Sequence, residues 1–351
     1  MTNDNLLEAL DRLRDTGPEF GGFLANHGPM AAEALTQMDA ASAVPAWVDR
    51  YRTRLDAAPT VGHGIARSQW REHLGNERLI GDWTGLMRRE IGEQPWQDML
   101  GTWWPRLLPG MAASATHGVI RVAHAVRSLR SAGREPEELL TDELAQGLAF
   151  WAARYQTVPG APDLHGSDAA VVATAHLPRL DPSLPGRGEG ITGRLLALDH
   201  LPRLPHALNA WGAPADPDLA LDELIGASAR VLAARDDAPI AFCHAVTAPA
   251  AVRLVLPELD AGLAVASVAV SWQVVGSIIA AYAAPRHEAE SHDAQELPSS
   301  EVDELSHRAV QHGDEHVIKL TEACLREHAR TGDDTLLVAA RRFRDRVGVD
   351  R

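Results

Sequence analysis

Apolar residues recur at three- and four-residue intervals over most of the chain, the period of a helix with one buried face. By period and composition, helices are expected over 3–15, 30–41, 45–56, 86–100, 111–131, 137–156, 217–234, 261–284, 300–329 and 333–346. Pro29 stands where a helix beginning near Met30 wants its first residue, since proline has the helical φ and no donor to lose there. Period-two alternation is missing, and neither Asn-Gly nor Asp-Gly occurs to turn a hairpin. The expected fold class is all-α: a single large helical domain over residues 1–351 with long irregular connecting segments. Two such segments interrupt the pattern, a Pro- and Gly-dense one over 157–190 and a polar one over 285–299 expected to be an exposed loop.

One stretch, 261–284, carries no charge and is long enough to span a bilayer. It is rich in Ala, Ser and Gly, contains Gln273 and has acidic neighbours at Glu258 and Asp260, so a buried central helix is expected instead of a membrane span. The charged N-terminus lacks the apolar core of a signal peptide. Only two cysteines occur, Cys243 and Cys324, which suits free thiols in a reducing, cytoplasmic compartment. A formal net charge of −15 repels phosphate backbones and argues against nucleic-acid partners.

Most of the 16 histidines lie in polar or proline-rich surroundings and read as surface residues. These include His63, His73, His165, His176, His200, His206, His287, His292, His307 and His328. Five others sit among small or apolar neighbours: His27, His117, His124, His244 and His316. His117 and His124 are two helical turns apart, about 10.5 Å of rise, and leave on nearly the same face. A metal between them is feasible but not forced.

Lysine changes the picture further. Lys and Arg together number 33, and Lys319 is the only lysine, so 32 are arginine. Arginine serves wherever a basic charge is enough, but its charge is permanent, so it cannot supply a neutral nucleophilic amine. Two chemistries need such an amine: a Schiff base, or reaction with CO2 to give a metal-binding carbamate. The plain alternative is one lysine that escaped a compositional bias.

Four blocks carry a resemblance: LANHGPMAAEAL (24–35), LLPGMAASATHGVIRVAHAVRSL (107–129), FCHAVT (242–247) and GDEHVIKLTEA (313–323). Together they resemble the questin oxidase-like family, oxygenases of aromatic polyketide biosynthesis, over residues 21 to about 325. The resemblance implies oxidative opening of an anthraquinone-type ring with O2. It implies non-heme Fe(2+) held by four histidines and a carboxylated lysine. Carried over block by block, the ligands are His27, His117, His124 and His244, with a CO2-derived carbamate on Lys319. The substrate implied is a small quinone or polyphenol.

His316, one turn before Lys319, could orient the carbamate or be a core histidine held by a backbone carbonyl. Arg121, between the two helical histidines, could bind a phenolate or a CO2-derived anion. Asp314 and Glu315 read as partners of the site or as surface acids, with surface favoured for Glu315. Trp272 and Tyr282 read as core packing. No glycine-rich dinucleotide fingerprint follows a strand, so a reductant such as NADPH would come from solution or a partner. Two readings compete with the oxygenase: a hydrolase with a carbamate-lysine metal site, usually a (β/α)₈ barrel, and a non-catalytic helical binding protein.

Overall fold

The computed structural model describes residues 4–134, 136–284 and 299–348. Sixteen α-helices, eight short 3-10 helices and one two-stranded sheet make up the regular structure of the described residues, so the fold is all-α and not a (β/α)₈ barrel. The chain forms two compact units, Met1–Thr157 with Leu254–Asp260, and Val158–Arg253 with Ala261–Arg351.

In the first unit, the helix His117–Ala132 packs along Glu138–Ala153, which also packs on Ile80–Glu93. The close approach comes from glycine. A Cβ on Gly118 would lie 2.8 Å from the Trp151 Cβ and 2.9 Å from its Cα, so no larger residue fits without moving the neighbouring backbone. Tryptophans fill the remaining core: Trp104 meets Trp151 edge-on at 5.2 Å between rings, and Trp83 meets Trp103 at 5.8 Å. Edge-to-face pairs add about 0.5–1.5 kcal/mol beyond their buried area. The sheet is a hairpin pairing Glu19–Phe20 antiparallel with Leu24–Ala25, turned by Gly21 and Gly22 at φ of 58° and 94°.

In the second unit, Pro217–Ala234 packs on Thr335–Arg346, on Ala170–His176 and on Ala261–Tyr282, while Glu315–Thr331 packs on Thr335–Arg346. Ala261–Tyr282 is apolar on all sides, and 72% of its most apolar window is buried in protein. Trp272 is fully buried there, as expected of core packing, and its indole N–H donates to the Leu208 carbonyl. A second helix, Pro239–Glu258, is also long and apolar enough to cross a membrane, and 89% of its window is buried.

Several expected elements differ. The span 86–100 belongs to two helices, Ile80–Glu93 and Trp96–Leu107, separated at Pro95, whose missing N–H and fixed φ suit a helix start. The span 300–329 is likewise two helices, Ser299–His312 and Glu315–Thr331, because Gly313 turns left-handed at φ 79° and Asp314 caps the second. The helix expected from 111 starts only at His117. Pro239–Val255 was not anticipated, since Pro249 lies inside it. The irregular segment 157–190 holds one short helix, Ala170–His176, and the start of another, Gly190–Leu195. The loop expected over 285–299 lies outside the described residues except for Ser299, which opens a helix; His287 and His292 lie outside them as well.

Candidate metal centre

In the first unit, three histidines occupy built positions. His27 precedes the helix Gly28–Gln37, whose first turn holds Pro29. The hairpin delivers it there: the Asn26 amide donates to the Gly17 carbonyl at 2.8 Å, and the Asn26 side-chain oxygen accepts from Gly28 N–H at 2.9 Å. The His27 backbone N–H donates to the Tyr51 hydroxyl at 2.7 Å. With backbone and neighbours held, the buried imidazole lies 4.5 Å, ring to ring, from that of His117.

His117 opens its helix behind a strained run. Ser114, Ala115 and Thr116 take φ of 45°, 55° and 74°, left-handed values that cost a non-glycine residue about 1–2 kcal/mol each. The run brings the Ser114 carbonyl against Nδ1 of His117. A carbonyl only accepts, so that nitrogen carries the proton and Nε2 keeps its lone pair. Backbone strain of this kind collects at functional sites, where neighbouring structure over-determines it.

His124 is set in the same tautomer by a carboxylate. Its Nδ1 donates to Oε2 of Glu33 at 2.7 Å, and Arg127 clamps the same carboxylate, with Nε 2.7 Å from Oε1. Burial alone would raise the Glu33 pKa, but the Arg127 charge and the His124 contact outweigh it and hold it below the ordinary range. A carboxylate on the far nitrogen of an imidazole is a common way of orienting a metal ligand and raising its basicity.

The second unit brings together the other expected residues. His244 lies on Pro239–Val255, and its ring meets that of His316 edge-on at 5.7 Å. Asp314 caps the helix Glu315–Thr331, accepting from the backbone N–H groups of His316 and Val317 at 2.9 and 3.0 Å. Lys319 follows one turn later, 3% exposed, and its amine forms no ion pair among the described residues. Burial pushes its pKa down to about 8, against the opposing influence of Cys243, Glu315 and Asp314. Burial also pushes the Cys243 thiol up to about 12, so that neighbour stays neutral.

The five expected ligands therefore fall into two buried sets, His27, His117 and His124 in one unit and His244 and Lys319 in the other. Two readings of the neighbours are corrected. Arg121 is not available to a substrate anion: it is buried and donates through Nε and Nη2 to Glu143 at 2.6 and 2.7 Å. Removing one partner of such a pair costs about 3–5 kcal/mol, which marks it as structural. Glu315 is buried and not a surface acid, and Asp314, Glu315 and His316 offer ligand atoms within 4.8 Å of one another. The eight described histidines read as surface residues are, by contrast, not buried. Glu33 went unnoticed in the sequence, although an acid inside the apolar run MAAEAL is itself a signal of a buried partner.

The donor set fits a transition metal. Two imidazoles have their tautomers assigned by acceptors at Nδ1, and burial lowers the pKa of the one lysine amine to about 8. Compared with known families, the chain matches the model described as questin oxidase-like over residues 24–324, the span the four blocks implied. No curated protein matches it.

Proposed function

The chain belongs to the questin oxidase-like family, and on that premise we propose that it is an oxygenase acting on an aromatic, polyketide-type small molecule with O2. Its metal in this reading is iron(II), with His27, His117, His124 and His244 as ligands and a carbamate on Lys319 as the anionic one. The observation that carries the reading is the burial of the only lysine without an ion pair among the described residues. A protonated amine in that position loses hydration and gains no salt bridge, which costs several kcal/mol. A neutral amine escapes that cost and becomes a nucleophile. Its nitrogen attacks the carbon of CO2, one N–C bond forms, a proton leaves to solvent, and an anionic oxygen donor remains.

Iron(II) bound by imidazoles and one such oxygen would supply the redox centre at which O2 oxidises the ring. The protein's own part is to hold the donors ready. Glu33 and the Ser114 carbonyl retain the Nδ1 protons of His124 and His117, which supports Nε2 as the ligating atom in both. His316, between Glu315 and Lys319 along one helix, would orient the carbamate through a hydrogen bond. A reductant such as NADPH, where required, would act from solution.

Burial of Glu315 favours a second reading, in which its carboxylate supplies the anion and Lys319 stays an amine. Metal analysis and oxygen uptake with a reduced anthraquinone separate the two. The carbamate reading expects Lys319→Arg to lose iron and turnover as fully as Lys319→Ala, because a guanidinium stays cationic and cannot react with CO2. Lys319→Glu should retain more than either, and carbon-13 bicarbonate should label wild type but not Lys319→Arg. Wild-type iron and turnover in Lys319→Arg, with loss in Glu315→Gln, would transfer the anionic role to Glu315.

A further inference from the structure

The second unit contains a cleft lined by none of the expected ligands, of about 460 Å³ and within the size range of small-molecule sites. Its walls are apolar, including Val171, Leu177, Val231 and Ile279, and three arginines line it. Two of these are neutralised: Arg230 pairs with Asp333 at 2.9 Å, and Arg235 pairs with Asp237. Arg179 differs. Its two terminal nitrogens donate to the backbone carbonyls of Leu177 and Thr174, at 2.8 and 3.0 Å, and it forms no ion pair among the described residues.

A guanidinium has five N–H donors, so two bonds to carbonyls fix its plane and leave three donors. Burial first, and then the charge of Arg235, lower the Arg179 pKa to about 10 against the opposing influence of Asp237. Thr174 adds an independent observation. It lines the same cleft, is 4% exposed, and its hydroxyl has no hydrogen-bond partner among the described residues. A fixed cation and an unsatisfied hydroxyl among apolar walls suit one ligand chemistry. The anion pairs with the guanidinium, and an apolar body covers the valine, leucine and isoleucine side chains.

We propose that this cleft is a second binding site, for a small monocarboxylic acid with an apolar body, anchored by Arg179 and walled by Val171, Leu177, Val231 and Ile279. It is independent of the iron reading, since no expected ligand lines it.

Calorimetric titration of the full-length protein with naphthoate, and with its neutral counterpart naphthylmethanol, tests the proposal. Naphthoate should bind at one site, at least about tenfold more tightly than the alcohol, the scale of one charge-assisted contact. Arg179→Gln should reduce naphthoate to the affinity of the alcohol. Ala175→Trp, which fills the cleft from an exposed position, should remove binding of both. Absence of saturable naphthoate binding overturns the proposal, as does equal affinity for acid and alcohol. Unchanged affinity in Ala175→Trp overturns it too, and decides the matter even if Arg179→Gln does not fold.

Discussion

Glu33 shows how much a single side chain is asked to do. It accepts from His124 Nδ1 and from Arg127, so one carboxylate sets an imidazole tautomer while neutralising a nearby cation. Glu33→Gln keeps the shape and removes the charge. It should weaken iron binding about 10–100-fold in competition with a chelator, the usual loss when the hydrogen-bond partner of a metal-ligating histidine is changed. The same residue predicts a pH effect on the metal-free protein. Its folded pKa lies below the ordinary 4.5, so its contribution is fully present above that value and is lost as pH falls through the folded pKa. Denaturant midpoints should therefore fall less steeply below pH 4.5 in Glu33→Gln than in wild type. Equal slopes would mean that Glu33 is not ionised in the fold. At this scale the ligand candidates were legible, because histidines and one lysine stand out among small apolar neighbours. Glu33 and Glu315 were missed or misread, because burial of an acid depends on what other elements bring to it.

Helix contacts set the position of His117. Its helix approaches Glu138–Ala153 through Gly118, whose missing Cβ leaves room for the Trp151 backbone. Gly118→Ala should cost about 1–3 kcal/mol in denaturant unfolding, the range for overpacking a tight contact, and should lower iron content by displacing the adjacent imidazole. Gly92→Ala is the contrasting case. Its new Cβ meets nothing within 4 Å, and alanine is the better helix former by about 1 kcal/mol, so it should be neutral or stabilising. A Gly118→Ala variant as neutral or stabilised as Gly92→Ala would show that helix propensity, not contact, decides at Gly118. Periodicity located most helices, and the caps that divided them were present in the sequence as Pro95 and Gly313–Asp314. The left-handed run 114–116 was not legible, since Ser, Ala and Thr have no preference for that region and take it only under tertiary constraint.

For the whole molecule, we expect residues 1–351 to behave as one domain in unfolding. The chain passes from one compact unit to the other after Thr157, returns at Leu254 and leaves again after Asp260, and the helix Pro239–Val255 contains residues of both. A helix shared in this way loses its register if either unit melts. Calorimetry of the metal-free protein should show a single transition with matching calorimetric and van't Hoff enthalpies. Two separated transitions would establish independent domains. The sequence by itself determined the helical class, the family and the short list of candidate metal ligands, because residue period, block order and unusual residue types are all local properties of the chain. Tertiary structure decided which polar groups are buried and what holds them. Glu33 at His124, Arg121 at Glu143 and Lys319 without an ion pair among the described residues each depend on residues from other elements or on their absence, and a linear pattern carries no record of either.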